Sequence, residues 1–438
     1  MVYFDIRNTE EYKMKLVKKV QPEWFLYVLL LFPFAMGPLN DFLGLPRAIR
    51  YVMDLAYGML LVLAAARFRQ INWGESKRLA IWVGGFVAYT LIAYMFHFQS
   101  PLYYLWGFRN NFRFYAAFFA FVIFLTSENV ERILKWLDIL FWVNFAVSLI
   151  QFFGFGLQQD YLGGIFGTEP GVNGYTNIFF LIIITKAAVS YQEGYEKLWV
   201  FLSKCAAALL IAALAELKFF YIEFLGIIIL SVLFIRFKMR NLWIIPAGLV
   251  AAMLSAALLS KLFPYFQDWL SVRWFLQEAS AAHGYTYSGD LNRLTAIPAI
   301  NNYWLTSLPQ RLFGLGLGNT DTSSFAFLNT PFFMKYWFTN YLWISYAIMY
   351  LECGWIGLLF YFVFFVLVFL AAHRIQKKSE GMTRVYCLMA KILVPFCMLI
   401  AIYNSSLRME SAYMMYFALA LPFAFQSKNT QRNDGKAV

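Results

Sequence analysis

Charge is what this chain has least of. Only 14% of its 438 residues are Asp, Glu, Lys or Arg, against about 25% in soluble domains. That deficit excludes an ordinary soluble fold, and it accompanies a composition that is 61% hydrophobic and 21% aromatic. Histidine occurs three times, at His97, His283 and His373. None stands at ligand spacing from a second histidine or a carboxylate, so no metal-ligand set is legible and no cofactor is expected. Cys205, Cys353, Cys387 and Cys397 show no C-x-x-C spacing and lie mostly in apolar runs, which argues against a disulfide framework or a thiolate site. A cleavable leader is not apparent. The opening "MVYFDIRNTEEYKMKLVKKVQPEW" is too long and too acidic for an n-region.

Long apolar runs are what the chain does have. A bilayer core of about 30 Å takes about 20 apolar residues per helix. Only helices or closed barrels pair every backbone group inside it, and these runs are continuous rather than alternating, so helices are expected. The predicted fold is an all-α polytopic membrane protein of about 12 transmembrane helices. The spans fall near 23–38, 51–66, 79–97, 114–126, 136–156, 174–191, 198–217, 219–236, 242–262, 354–373, 385–403 and 410–425. Residues 1–262 then hold spans one to nine, 263–353 form one long loop with amphipathic helices, 354–425 hold the last three spans, and 426–438 are a tail.

The distribution of positive charge orients these spans. With the N-terminus inside, the inner segments carry 22 Lys and Arg, and the short outer segments 39–50, 98–113, 157–173, 218 and 404–409 carry 6. Lys and Arg accumulate on the cytoplasmic side, so both termini are expected there and 263–353 outside. The net charge of +12 is read as membrane orientation and contact with anionic lipid, not as nucleic-acid binding. No internal repeat is visible, which disfavours a transporter.

The candidate chemistry lies in the outer segments. In "GDLNRLTAIPAINNYWLTSLPQRLFGLGLGN", Asp290 is an expected N-cap. Leu294, Ile297, Ile300 and Trp304 then recur at helical spacing, giving an amphipathic helix on the membrane face, bent at Pro298. Arg293 falls in its first turn, where a cation opposes the helix dipole. It is either a guanidinium aimed at phosphate oxygens or a snorkelling interfacial arginine. Arg311 is a substrate-binding candidate in the same stretch. Gly314, Gly316 and Gly318 have the wrong spacing and setting for a dinucleotide fingerprint and read as a tight turn. Lys218, with Glu216, is a loop lysine or a substrate-facing cation. "WGFRNNFRFY" offers Arg109 and Arg113. "GIFGTEPGVNGYTNIFF" offers Glu169, Asn173, Tyr175 and Asn177. These suit sugar binding, where rings stack on CH faces and amides read hydroxyls, or are solvated turns. His283 is a substrate-site candidate or an incidental loop residue.

In order, these stretches resemble the O-antigen polymerase and ligase superfamily, the Wzy-type polysaccharide polymerases and the lipopolysaccharide O-antigen ligases. "GIFGTEPGVNGYTNIFF" resembles the family's G-T-F-x-N-P-N-x-x-G-Y stretch. "ELKFF" stands where a Ser-Arg pair opens a helix. "GDLNRLTAIPAINNYWLTSLPQRLFGLGLGN" resembles the G-R-x-x-x-W and P-x-x-G-x-G-x-G-N signature of the long outer loop. "YLECGWIGLLFYF" resembles the E-x-G-x-x-G opening of the next span.

The resemblance implies a GT-C-like, metal-independent membrane glycosyltransferase of the bacterial inner membrane. Its expected partners are undecaprenyl-pyrophosphate-linked glycans, membrane lipid and a chain-length regulator protein. It casts Arg293 and Lys218 as catalytic cations that receive the leaving diphosphate, the lysine replacing the family's second arginine. Glu169, Glu278, Asp290 and His283 are the candidate bases. The ligases carry a histidine upstream of the E-x-G-x-x-G glycine. The matching position here is Trp343, and no histidine lies between 284 and 372. That turns the expectation from a ligase acting on lipid A core toward a polymerase. A glycolipid flippase is the rival from another class.

Overall fold

The computed structural model describes residues 21–68, 71, 73–97, 99–235, 243–264, 284–286 and 288–424. Its long helices follow the apolar runs: α1 Glu23–Gly37, α2 Val52–Ala66, α3 Lys77–His97, α4 Pro101–Phe124, α5 Ser127–Phe155, α6 Asn173–Glu193, α7 Leu198–Leu214, α8 Lys218–Phe234 and α9 Ile244–Leu262. Three short helices follow, α10 Ala296–Tyr303, α11 Leu308–Phe313 and α12 Pro331–Tyr336, and then α13 Ser345–Gln376, α14 Gly381–Tyr403 and α15 Ala412–Ala424. Among the described residues there is no strand, and a lone bridge joins Tyr285 to Leu291. Eight of the helical stretches are long and apolar enough to cross a membrane. The protein is an all-helical membrane protein.

The bundle is built around α6, α14 and α15. Every residue of α15 is buried, and α15 packs against α4, α6, α13 and α14. The outer helices present Leu55, Phe96, Phe153, Leu233 and Leu254 to the surroundings, as lipid-facing helices must. Cys205, Cys353, Cys387 and Cys397 are buried and unbridged.

Segments expected on one side of the membrane meet at one end of the bundle. Arg47 Nε donates to Glu169 Oε1 at 2.6 Å, Trp106 Nε1 to the Thr322 carbonyl at 2.9 Å, and Arg408 Nη2 to Asp321 Oδ2 at 3.0 Å. Segments expected on the other side gather at the opposite end, through Arg384–Glu193 at 3.1 Å, Arg374–Glu75 at 3.6 Å and Lys204–Glu196 at 2.6 Å.

Four local expectations are corrected. The fourth span does not begin at 114: α4 starts at Pro101, so Arg109 and Arg113 are helical rather than in a loop. Their charges lower the local hydropathy, but carboxylates from other helices meet them, and the helix continues. Asp290 is not an N-cap. Its Oδ1 accepts from Asn340 Nδ2 at 2.6 Å, while Asn292 Oδ1 takes the Leu294 amide at 2.8 Å and holds a turn that delays the helix to Ala296. Arg293 therefore precedes α10 and does not lie in its first turn. Pro298 does not bend α10, because it sits in the first turn, where the missing N–H has no intrahelical partner to lose.

The tenth span does not begin at Gly354. α13 starts at Ser345 and is broken at Gly354, which has φ 60° and ψ −162°. The glycine knot fills that break. Leu315 N donates to Leu351 O at 2.8 Å and Gly316 N to Glu352 O at 3.0 Å, so carbonyls released by the break find new donors. A Cβ on Gly314 would stand 2.4 Å from the Glu352 carbonyl, and one on Gly354 would stand 2.4 Å from the Leu312 carbonyl. The tight-turn reading of Gly314–Gly318 is the one the structure bears out, and the two backbones touch because neither carries a side chain there.

Candidate functional site

α4 brings Arg109 and Arg113 onto one face, a turn apart. Arg109 Nε donates to Asp54 Oδ2 of α2 at 3.0 Å. Arg113 Nη1 donates to Glu410 Oε1 at 3.2 Å, and Nη2 to the Arg408 carbonyl at 2.9 Å. Tyr175, in the first turn of α6, donates its hydroxyl to Glu410 Oε2 at 2.6 Å. Asp321 accepts from both Arg408 and Asn110, the latter at 2.8 Å. Arg47 and Glu169 close the mouth with an exposed ion pair.

The result is a cleft of about 520 Å³ whose wall carries Arg47, Arg50, Arg109, Arg113 and Arg408 beside Asp41, Glu169, Asp321 and Glu410. Burial alone would raise the Glu410 carboxyl. Arg113, helped by Arg50 and the Tyr175 hydroxyl, overrides burial and holds it at about 2. Arg113 Nε and Arg408 Nη1 are buried without a hydrogen-bond acceptor. Arg50 Nη2 donates to the Ser324 hydroxyl at 2.9 Å and its guanidinium lies 5.6 Å over the Tyr51 ring. Trp106 lines the cleft and meets Tyr51 edge-on at 6.3 Å, and Tyr51 stacks on Phe325 at 5.8 Å.

A second group lies across the N-terminus of α6. The exposed Arg293 guanidinium sits 4.8 Å over the ring of Tyr403. That ring is stacked on Phe219 at 4.3 Å and 9°, and Phe219 follows Lys218 in α8. Lys218 and Arg293 are close enough to repel one another, and Asp160 and Glu216 offset them. Lys218 Nζ lies 2.8 Å from Glu216. Arg293 forms no ion pair among the described residues.

Of the residues singled out in the sequence, Arg109, Arg113, Glu169 and Tyr175 therefore meet in the cleft, and Arg293, over Tyr403, comes within electrostatic reach of Lys218. Asn173 belongs with the second group through Asp160, whose Oδ1 it donates to at 2.7 Å. Asn177 is buried a turn deeper, beside Glu223. Arg311 stands apart from both groups: its guanidinium caps the carbonyls of Leu305 and Asn301 and braces the outer loop. His283 and Glu278 lie outside the described residues.

The reading of the sequence missed Arg47, Arg50, Arg408, Asp54, Asp321, Glu410 and Tyr403. A signal for three of them was present. The six Lys and Arg of the short outer segments are Arg47, Arg50, Arg109, Arg113, Lys218 and Arg408. Five line the cleft and the sixth pairs with Arg293. On the side where orientation leaves few cations, those that remain converge. No protein-family model matches the chain, and no curated protein matches it.

Proposed function

We propose that the protein is a membrane glycosyltransferase that polymerises lipid-linked oligosaccharide repeat units on the outer face of the bacterial cell membrane, with both termini cytoplasmic. The donor glycan rides on undecaprenyl pyrophosphate, and the acceptor is the sugar hydroxyl of a second lipid-linked repeat. The hydroxyl oxygen bonds to the donor's anomeric carbon. The bond from that carbon to the diphosphate breaks, the electron pair leaves on the diphosphate, and the hydroxyl proton passes to a base.

The observation that carries this reading is that Arg293, seated over Tyr403, lies within electrostatic reach of Lys218. Two cations within electrostatic reach of one another suit a diphosphate, which would compete with Glu216 for Lys218. Cations already in place where negative charge develops lower the barrier without reorganising. An aromatic ring under Arg293 fixes its plane and leaves its N–H edge outward. The test is lengthening of a purified lipid-linked repeat unit by the purified full-length protein, with no second protein present. Export of the glycolipid without lengthening would make it a transporter, and transfer to a lipid A core sugar would make it a ligase.

A further inference from the structure

At the end of the bundle opposite both groups, a hollow of about 720 Å³ opens between the C-terminus of α13 and the N-terminus of α14. Lys377, Lys378 and Arg384 line it, with Glu193 and Glu380. Arg384 Nε is paired with Glu193 at 3.1 Å. Lys377, Lys378 and Glu380 are exposed and enter no ion pair among the described residues.

Behind this wall stands a cation whose partners are neutral. Lys391 lies inside α14 and is only 5% exposed. Its Nζ donates to Gln376 Oε1 at 2.8 Å and lies 4.5 Å over the Phe234 ring. No carboxylate reaches it among the described residues. A charge held inside a membrane bundle without a counter-ion is costly and points to function. Gln376, itself buried, joins that charge to the hollow it lines. With its oxygen held by the lysine, its amide has only N–H donors left, and no acceptor meets them among the described residues.

The helix ends add donors rather than acceptors. The last carbonyls of α13 are taken: His373 by the Lys377 amide, Ile375 by the Lys378 amide and the Ser379 hydroxyl, and Gln376 by the Ser379 amide. The first amides of α14 are left open, since Glu380 at the cap makes no side-chain bond to them. A helix start of this kind draws anions. The stretch 236–242, which follows the lining residue Ile235 in sequence, adds Arg236, Lys238 and Arg240 and no carboxylate. Tyr195, an exposed ring, stands beside the hollow, its hydroxyl 3.8 Å from where a Cβ on Gly381 would lie. Exposed tyrosines of membrane proteins gather at headgroup level.

We propose that this hollow binds a phosphate group, whose oxygens accept from several donors at once. The phosphate belongs to an anionic phospholipid headgroup or to a soluble ion. The site is separate from the proposed reaction and does not rest on it.

The test uses the full-length protein carrying Arg293→Gln, which removes a cation at the other end. In one arm it is reconstituted in phosphatidylcholine vesicles containing spin-labelled phosphatidylglycerol or spin-labelled phosphatidylcholine, and the immobilised lipid fraction is read. In the other it is titrated in detergent micelles with inorganic phosphate, read by phosphorus line broadening. Preference for phosphatidylglycerol assigns the headgroup, and broadening of inorganic phosphate assigns the soluble ion. Lys377→Gln with Lys378→Gln, at exposed positions, weakens the binding about tenfold, and so does Gln376→Leu, the scale of one hydrogen bond to a charged group. Glu380→Gln strengthens it about two- to fivefold, as loss of one exposed like charge does. Gln376→Leu changes no charge, so a merely basic surface would not register it. The proposal falls if neither arm shows binding, if the double lysine variant leaves it unchanged, if a folded Gln376→Leu binds like the parent, or if Glu380→Gln fails to strengthen it.

Discussion

Arg113 and Glu410 stand 297 residues apart in sequence and 3.2 Å apart in the fold, with side chains only 4% and 7% exposed. They tie α4 to the turn that leads into α15. Removing one member of a buried pair leaves the other charge uncompensated, at a cost of about 3–5 kcal/mol. Arg113→Ala is expected to lose that much in denaturant unfolding in detergent. Adding Glu410→Gln to it is expected to recover part of the loss. If Arg113→Ala unfolds like the parent, the pair does not hold these helices.

The same pair predicts an acid limb. The Glu410 carboxyl is held at about 2 when folded, below the ordinary value of about 4.3. A depressed folded value stabilises the protein fully above the ordinary value, and the stabilisation is lost as the pH falls from about 4.3 toward 2. Thermal unfolding between pH 5 and 3 reads this as a falling midpoint. Glu410→Gln is expected to flatten that part of the slope.

Gly314→Ala tests the lock between the glycine knot and α13. The new methyl would sit 2.4 Å from the Glu352 carbonyl at a φ of 77°. Strain on the order of 1–3 kcal/mol follows from the backbone conformation alone. The expected readout is a lowered unfolding midpoint and faster proteolysis within residues 288–345. A protease pattern like the parent's would mean the knot is not docked.

Arg293→Ala is expected to reduce polymer formation about 10²–10³-fold, the effect of losing one preorganised donor to developing negative charge. Its exposed position predicts unchanged folding. Normal polymer in a correctly inserted protein removes Arg293 from the reaction. Lys218→Arg is expected to retain activity, since the charge stays and a planar fork is gained. Inactivity with intact folding would mean the site is shaped for lysine.

The helical architecture was legible because lipid imposes it: each of the twelve apolar runs falls on a helix over its described residues. Span four was cut short at 114 because the partners that neutralise Arg109 and Arg113 are 55 and 297 residues away. Hydropathy scores a charge as unpaired unless its partner is a neighbour. The cleft was half legible. Arg109, Arg113, Glu169 and Tyr175 stood out in polar outer stretches, whereas Asp54 and Glu410 fall within the first turn of apolar runs and look like helix-end residues until the fold brings them to arginines. Tyr403 gave no signal: one aromatic among many ends α14, and only its ring contacts with Phe219 and Arg293 distinguish it.

The cleft wall draws on stretches from Met36 to Glu410. The ribosome delivers its first and last parts far apart in time. Until residues 408–410 arrive, Arg113 has only the more distant Asp54, at 3.9 Å, and Asp321 lacks Arg408. A nascent chain halted within α14 would carry most of the cleft's wall, yet lack the segment that closes it. The wall is thus completed only in the closing stretch of translation.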